Sequence, residues 1–251
     1  MQIQAKRIWL IGASEGIGRS LAKQLVEEGA RVFATARNES RLMELSEELA
    51  NANFKIAVAD GVNLDSLRHA YSSAISLWGG VDMVIYNAGV YSPMPLESWS
   101  LATALSTMDV NLQGAMRMID VVLPDMMKNH CGHIVMVSSV ASYRGLPESA
   151  AYGASKAALT NFAEYLKIEG KKYNITVQLV SPGFVKTRLT EQNNFAMPAM
   201  IDTDMAAQRI ILGLRNETYD IHFPKRFSWA MKLLRIIPHT WYFFIVRKIK
   251  L

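Results

Sequence analysis

Short apolar runs alternate along the chain with stretches of helical periodicity. Arg7–Ile11 (RIWLI), Arg31–Thr35 (RVFAT), Lys55–Ala59, Val81–Tyr86 (VDMVIY), His133–Val137 (HIVMV) and Thr176–Val180 (TVQLV) are runs of strand length. Between them lie Gly16–Glu28, Glu39–Ala50, Leu64–Leu77, a helical region ending at Asn129, and Tyr152–Tyr173. These repeat apolar residues every three or four positions, as in Leu42, Leu45 and Leu49. A helix near Asp202–Leu214 and a short strand near Tyr219–His222 close the body. The helical spacing puts one apolar stripe on each helix, whereas a strand apolar at consecutive positions is buried on both faces.

Strands of this kind, each followed by a helix, predict an α/β fold. The expected architecture is a doubly wound parallel sheet (Rossmann-type) in a single domain, with right-handed crossovers. Such sheets bind ligands at the carboxyl ends of their strands, beside the point where strand order reverses. Functional residues are therefore expected just after strands one, two, four, five and six. Residues 1–224 would form the dinucleotide-binding catalytic body and 225–251 a separate tail.

Composition changes this picture little. The chain has 251 residues, 50% of them apolar and 20% charged, enough for a core without disulfides or a structural metal. The single cysteine, Cys131, forms no internal bridge, and Met1–Arg7 carries no apolar run of signal-peptide length. Both features predict a cytoplasmic protein. His130-Cys131-Gly132-His133 offers three crowded ligands with no second cluster, so no metal site is expected.

Charge matters more. The net charge is +5, yet no acidic residue follows Asp220, while Lys225, Arg226, Lys232, Arg235, Arg247, Lys248 and Lys250 all do. Setting these seven aside leaves a body of −2. A nucleic-acid binder spreads cations over a docking face, so no nucleic-acid partner is expected.

Strand one runs into Gly12-Ala13-Ser14-Glu15-Gly16-Ile17-Gly18 and then a helix. Glycines serve where the chain turns sharply and where backbone approaches a pyrophosphate, and the helix behind them offers free N–H groups and a positive dipole end. Gly12, Ser14, Gly16, Ile17 and Gly18 are thus candidate cofactor contacts. Strand two ends in Thr35-Ala36-Arg37, with no carboxylate to bind the 2′-hydroxyl of NAD. The planar fork of Arg37 suits a 2′-phosphate instead, favouring NADP(H) with NAD(H) as the alternative. A solvated surface arginine is the plainer reading. Asp60 could accept a bond from an adenine amino group or cap a turn. Asn87, Ala88 and Gly89 after strand four let backbone lie against the cofactor.

Ser139 follows strand five, and Tyr152 and Lys156 stand four apart on the next helix, on one face. A phenol is a poor base near neutrality, and a neighbouring ammonium favours its phenolate and lowers its pKa. Tyr152 could then exchange a proton with a carbonyl or alcohol oxygen that Ser139 polarises.

The glycine turn, Asn87-Ala88-Gly89, Ser139, Tyr152/Lys156 and Pro182-Gly183, in this order, resemble the short-chain dehydrogenase/reductase family over roughly residues 6–190. The resemblance implies that Tyr152 is the acid/base, that Ser139 acts on the carbonyl, and that Lys156 binds the nicotinamide ribose and tunes Tyr152. Asn111 matches a helix asparagine that completes a proton relay, and Pro182, Gly183 and Thr187 would flank the nicotinamide. It also implies a homodimer or homotetramer through two long helices. Three positions depart from the family pattern: Ile11 replaces a threonine, Tyr86 replaces the first asparagine of Asn-Asn-Ala-Gly, and Gly61 replaces a small apolar residue.

The expected function is an oxidoreductase moving hydride between NADP(H) and a carbonyl or secondary alcohol. Phe195, Met197, Met200 and Met205, in a lid near 184–205, would suit an apolar or lipid-like substrate or else pack in the core. The alternatives are an NAD-linked dehydrogenase of the same fold and a non-catalytic, membrane-associated cofactor binder. The complete Asn111/Ser139/Tyr152/Lys156 set argues against the latter. In the tail, eleven uncharged residues between Arg235 and Arg247 would reach about 16 Å as a helix, too short for a bilayer core of about 30 Å. Pro238 breaks that helix. Two readings stand: two short amphipathic pieces attached peripherally at the inner membrane surface, or packing of these residues on the body or a partner subunit.

Overall fold

In the computed structural model, residues 2–248 are described; residues 249–251, the end of the tail with its cation Lys250, lie outside them. The strands are β1 (Arg7–Ile11), β2 (Arg31–Ala36), β3 (Phe54–Val58), β4 (Met83–Tyr86), β5 (Gly132–Val137), β6 (Ile175–Pro182) and β7 (Asp220–Phe223). All pair in parallel, in the order β3-β2-β1-β4-β5-β6-β7. The helices are α1 (Gly16–Glu27), α2 (Glu39–Leu49), α3 (Leu64–Trp78), α4 (Leu101–Met108), α5 (Gly114–Asn129), α6 (Ala150–Gly170), α7 (Thr203–Arg215), α8 (Lys225–Ile236) and α9 (His239–Lys248).

Because strand side chains alternate between faces, each apolar strand feeds two cores. Ile8, Leu10, Met83 and Ile85 pack with Leu21, Leu25, Leu42, Leu45, Ile210 and Leu214 from α1, α2 and α7. Trp9, Ile11, Val84 and Tyr86 pack with Leu67, Tyr71, Met118, Val122, Leu159 and Ala163 from α3, α5 and α6. Side chains stop the helices fraying: Asn38 accepts from Arg41 N–H, Asn63 from Ser66 N–H and Asp202 from Met205 N–H. The periodic region before Asn129 is not continuous. The N–H of Gly114 reaches back five residues to Asp109 O, inserting a π-helical turn, Asp109–Gln113, between α4 and α5. The helix expected from Tyr152 begins two residues earlier and ends at Gly170, with a short 3-10 turn covering Lys171–Tyr173. Strand order reverses between β1 and β4, so their carboxyl ends open the cleft where a ligand would sit.

Candidate active site

The glycine turn closes that reversal point. Gly12 takes φ +87°, a conformation that L side chains avoid, and its N–H donates to Thr35 O at 2.7 Å. The Asn87 amide donates to Gly12 O at 2.7 Å, and Asn87 N–H to Ile11 O at 2.9 Å, clamping β1 to β4. A Cβ on Gly12 would stand 2.6 Å from Ala88 N, and one on Gly18 2.0 Å from Gly12 O. The turn therefore admits no side chain at either position. Glu15 precedes α1 but makes no side-chain bond to the helix, leaving the first-turn N–H groups to an anion.

In front of this turn lies a cavity of about 600 Å³, within the range of ligand sites. It is lined by Gly12, Ser14, Gly16, Ile17, Arg37, Asp60, Asn87, Ala88, Gly89, Ser139, Tyr152, Lys156, Pro182, Gly183 and Thr187. Of the sequence candidates, Gly18 and Asn111 stand behind this wall: Gly18 packs under the turn and Asn111 is fully buried.

Lys156 Nζ donates to Val137 O at 2.8 Å, and burial lowers its pKa to about 8. Its ammonium lies 5.8 Å from the Tyr152 ring centroid. Ser139 Oγ accepts from Ala141 N–H at 3.1 Å. Tyr152 differs from the sequence expectation of a lowered pKa. Burial raises it, and the Ser139 hydroxyl beside it pulls only partly the other way. Depth in the fold outweighs the Ser139 hydroxyl here.

Asn111 sits in the π turn. Its Oδ1 accepts from Val90 N–H at 2.8 Å, and its Nδ2 donates to Val90 O at 3.0 Å and Ser155 Oγ at 2.9 Å. It thus ties the loop after β4 to α6. A Cβ on Gly89 would touch both Asn111 Oδ1 and Lys156 Nζ at 3.4 Å, so glycine there lets the two groups converge. Two departures from the family pattern explain each other. The Tyr86 hydroxyl donates to Val110 O at 2.6 Å, and a Cβ would stand 2.9 Å from its oxygen at Gly61 and 2.0 Å at Gly114. A large residue at 86 requires glycine at 61 and 114. Ile11 is buried in the core on the α3 side.

Arg37 is exposed, lines the cavity and forms no hydrogen bond or ion pair among the described residues. Asp60 lines the cavity and also accepts from Val62 N–H at 3.1 Å, so it serves a turn whatever else it binds. Sequence reasoning missed Arg41 and Arg188, which line the same cavity; Arg41 pairs with Glu15, and Arg188 stands 3.9 Å from it. It also missed Tyr91, whose ring meets Tyr152 edge-on at 5.0 Å and whose hydroxyl donates to Asn193 Oδ1 at 2.9 Å. An aromatic residue two positions beyond Gly89 was its only signal. Of the four residues expected in a lid, Phe195 packs on Phe184 at 5.9 Å and Met197 Sδ accepts from the Asn193 amide. Met200 and Met205 are exposed, Met205 in the first turn of α7; none of the four lies in the core. Cys131 is exposed and His133 buried, and no group of three metal-ligating side chains occurs among the described residues.

A family model for short chain dehydrogenase matches residues 6–198. An uncharacterized oxidoreductase of Myxococcus xanthus is 32% identical over 241 residues, covering 95% of each chain. One of Staphylococcus epidermidis is 28% identical over 218 residues, covering 87% of this chain and 94% of the relative. The crystal structure of a short-chain dehydrogenase from Streptomyces avermitilis superposes with a TM-score of 0.82 at 23% identity, covering 97% of this chain and 94% of that one.

Proposed function

The chain belongs to the short-chain dehydrogenase family of oxidoreductases, and from that premise we propose that it reduces an apolar carbonyl, or oxidises the matching secondary alcohol, with NADP(H). One observation carries the reading: Ser139, Tyr152 and Lys156 share a single cavity with the open end of α1. The residues fit a nicotinamide dinucleotide. The N–H groups of the first α1 turn would receive the pyrophosphate, and Gly183 and Thr187 would border the nicotinamide. Such a cofactor, when bound, supplies or accepts hydride. Tyr152 then gives its phenolic proton to the substrate oxygen in reduction and takes it back in oxidation. Ser139 holds the same oxygen by its hydroxyl. Lys156, charged below about pH 8, steadies the phenolate by proximity. Asn111 holds the loop and helix that frame these groups and takes part in the proton relay.

The NADP(H) preference rests on Arg37, exposed at the cavity edge with no partner among the described residues, and on Arg41 beside it. Arg37→Ala should weaken NADPH by about 1.5–3 kcal/mol, the worth of a charge-assisted hydrogen bond, with little change for NADH. Fluorescence titration of both nucleotides checks this; equal losses would make Arg37 structural and favour an NAD-linked enzyme. Val185, Leu189 and the Phe184/Phe195 pair support an apolar or lipid-like substrate. Leu101 and Leu105 on α4, Met116 on α5 and Tyr165 and Ile168 on α6 are exposed and support a homodimer or homotetramer through these helices. In this reading the enzyme is cytoplasmic, and residues 225–251 bring it to the inner membrane surface.

A further inference from the structure

We propose that the outward faces of α8 and α9 form a docking surface for anionic lipid headgroups, and that this surface is held rigidly against the catalytic body. The proposal deepens the functional reading, on which it depends only for the purpose of docking.

Both helices are pinned by one side each. On α8, Ser228 is fully buried with its Oγ 2.7 Å from His222 Nδ1, and Met231 packs with Val140 and Tyr143. Phe227 packs on Phe184 with ring centroids 5.3 Å apart and fills the space a Cβ on Gly183 would need. On α9, Tyr242 is 2% exposed, and its hydroxyl donates to Gly145 O. Arg144 joins the two helices to the body. Its guanidinium lies 4.2 Å over the Tyr242 ring and donates to the carbonyls of Leu234 and Ile237 at the end of α8. The alternative of packing on the body is thus true of one side of each helix.

The other sides expose large apolar side chains. Trp229, Leu233 and Ile236 follow each other at helical spacing on α8 and are 61%, 59% and 77% exposed. Trp241, Phe244 and Ile245 do the same on α9, with Trp241 64% exposed. Lys225, Arg226, Arg235 and Arg247 are exposed around them, and among the described residues Asp220 neutralises Lys232 at 2.6 Å. The sequence beyond Asp220 contains no acidic residue. Charge decides the occupant. A second copy meeting this surface about a two-fold axis would set cation against cation. An anionic bilayer is complementary in charge and accepts tryptophan and phenylalanine at headgroup depth. With 12 and 10 residues, neither helix can cross a bilayer. Since the inner face of α8 backs the Gly183–Phe184 loop, docking places the bilayer on the far side of the helix that supports the nicotinamide end of the site.

The test is co-sedimentation of the full chain with vesicles of phosphatidylcholine alone and of phosphatidylcholine containing phosphatidylserine. The protein should pellet with the anionic vesicles at low salt, and high salt should release it. Lys225→Glu/Arg226→Glu should weaken binding about fivefold or more for each cation removed. Trp229→Ser/Phe244→Ser, at exposed positions that leave the circular dichroism spectrum unchanged, should abolish it. Parent protein left in the supernatant with anionic vesicles would overturn the proposal. So would an aromatic variant that pellets like the parent. If the parent ignores vesicles and Trp229→Ser/Phe244→Ser instead splits an oligomer in sedimentation velocity, a second copy covers the surface. Turnover of a water-soluble carbonyl, measured without vesicles, reports on the catalytic reading separately.

Discussion

Tyr152→Phe is expected to reduce turnover about 10²–10⁴-fold, the range for a positioned acid/base group, while nucleotide binding is kept. The substitution keeps the ring against Tyr91, 5.0 Å away, and removes only the proton carrier. Because burial raises the Tyr152 pKa, the phenol is protonated at neutral pH, the form that reduction needs. In the oxidative direction the parent rate should therefore climb with pH as the phenolate forms, and the variant should lose that climb. Steady-state kinetics across pH, with a nucleotide titration beside it, measures both. Near-parental turnover in the variant would remove Tyr152 from the mechanism.

Asn111→Leu should have the largest effect on stability. The side chain is completely buried and makes three hydrogen bonds, to Val90 N–H, Val90 O and Ser155 Oγ. Leucine has similar volume but leaves the Val90 N–H and C=O unpaired in the interior and takes a donor from Ser155 Oγ. At about 1–3 kcal/mol for each buried group left unsatisfied, the loss should reach roughly 3–5 kcal/mol. For a chain of this size that lowers Tm by about 2–4 °C per kcal/mol. Thermal unfolding followed by circular dichroism checks it. A Tm within a degree or so of the parent would mean that the loop after β4 does not rely on Asn111.

Much of the fold was legible because its signals are local. RIWLI and HIVMV are apolar at consecutive positions and sit in the sheet with both faces covered. The glycine spacing after β1 marks a turn that the structure closes onto Asn87-Ala88-Gly89. Pro238 divides the tail where α8 gives way to α9. What escaped depends on positions distant in sequence. Tyr91 and Asn193 meet only because the segment after β6 folds back onto the loop after β4. Glu15, just before α1, and Arg41, on α2, come together across the cleft wall. The departure at Tyr86 is matched by Gly61 and Gly114 around its hydroxyl, positions far from it in sequence. The i, i+4 spacing of Tyr152 and Lys156 was readable, but the depth that raises one pKa and lowers the other belongs to packing. Helical periodicity likewise hides the π turn, since one extra residue leaves the apolar pattern nearly unchanged. In the tail, periodicity located two amphipathic pieces, and contacts distant in sequence, through Ser228 and Met231 on α8 and Arg144 and Tyr242 on α9, reveal which sides face the body.

The central claim is that this cavity performs nicotinamide-linked carbonyl chemistry. Its most direct test follows reduced-nicotinamide absorbance while the purified protein meets a panel of carbonyls, from small ketones to long-chain apolar ones. NADPH and NADH are supplied in parallel, with the Tyr152→Phe protein as control. The account predicts NADPH consumption that depends on an apolar carbonyl, exceeds that with NADH and disappears in the control. Tight NADPH binding with no carbonyl-dependent consumption across the panel, or equal consumption by parent and control, would contradict it.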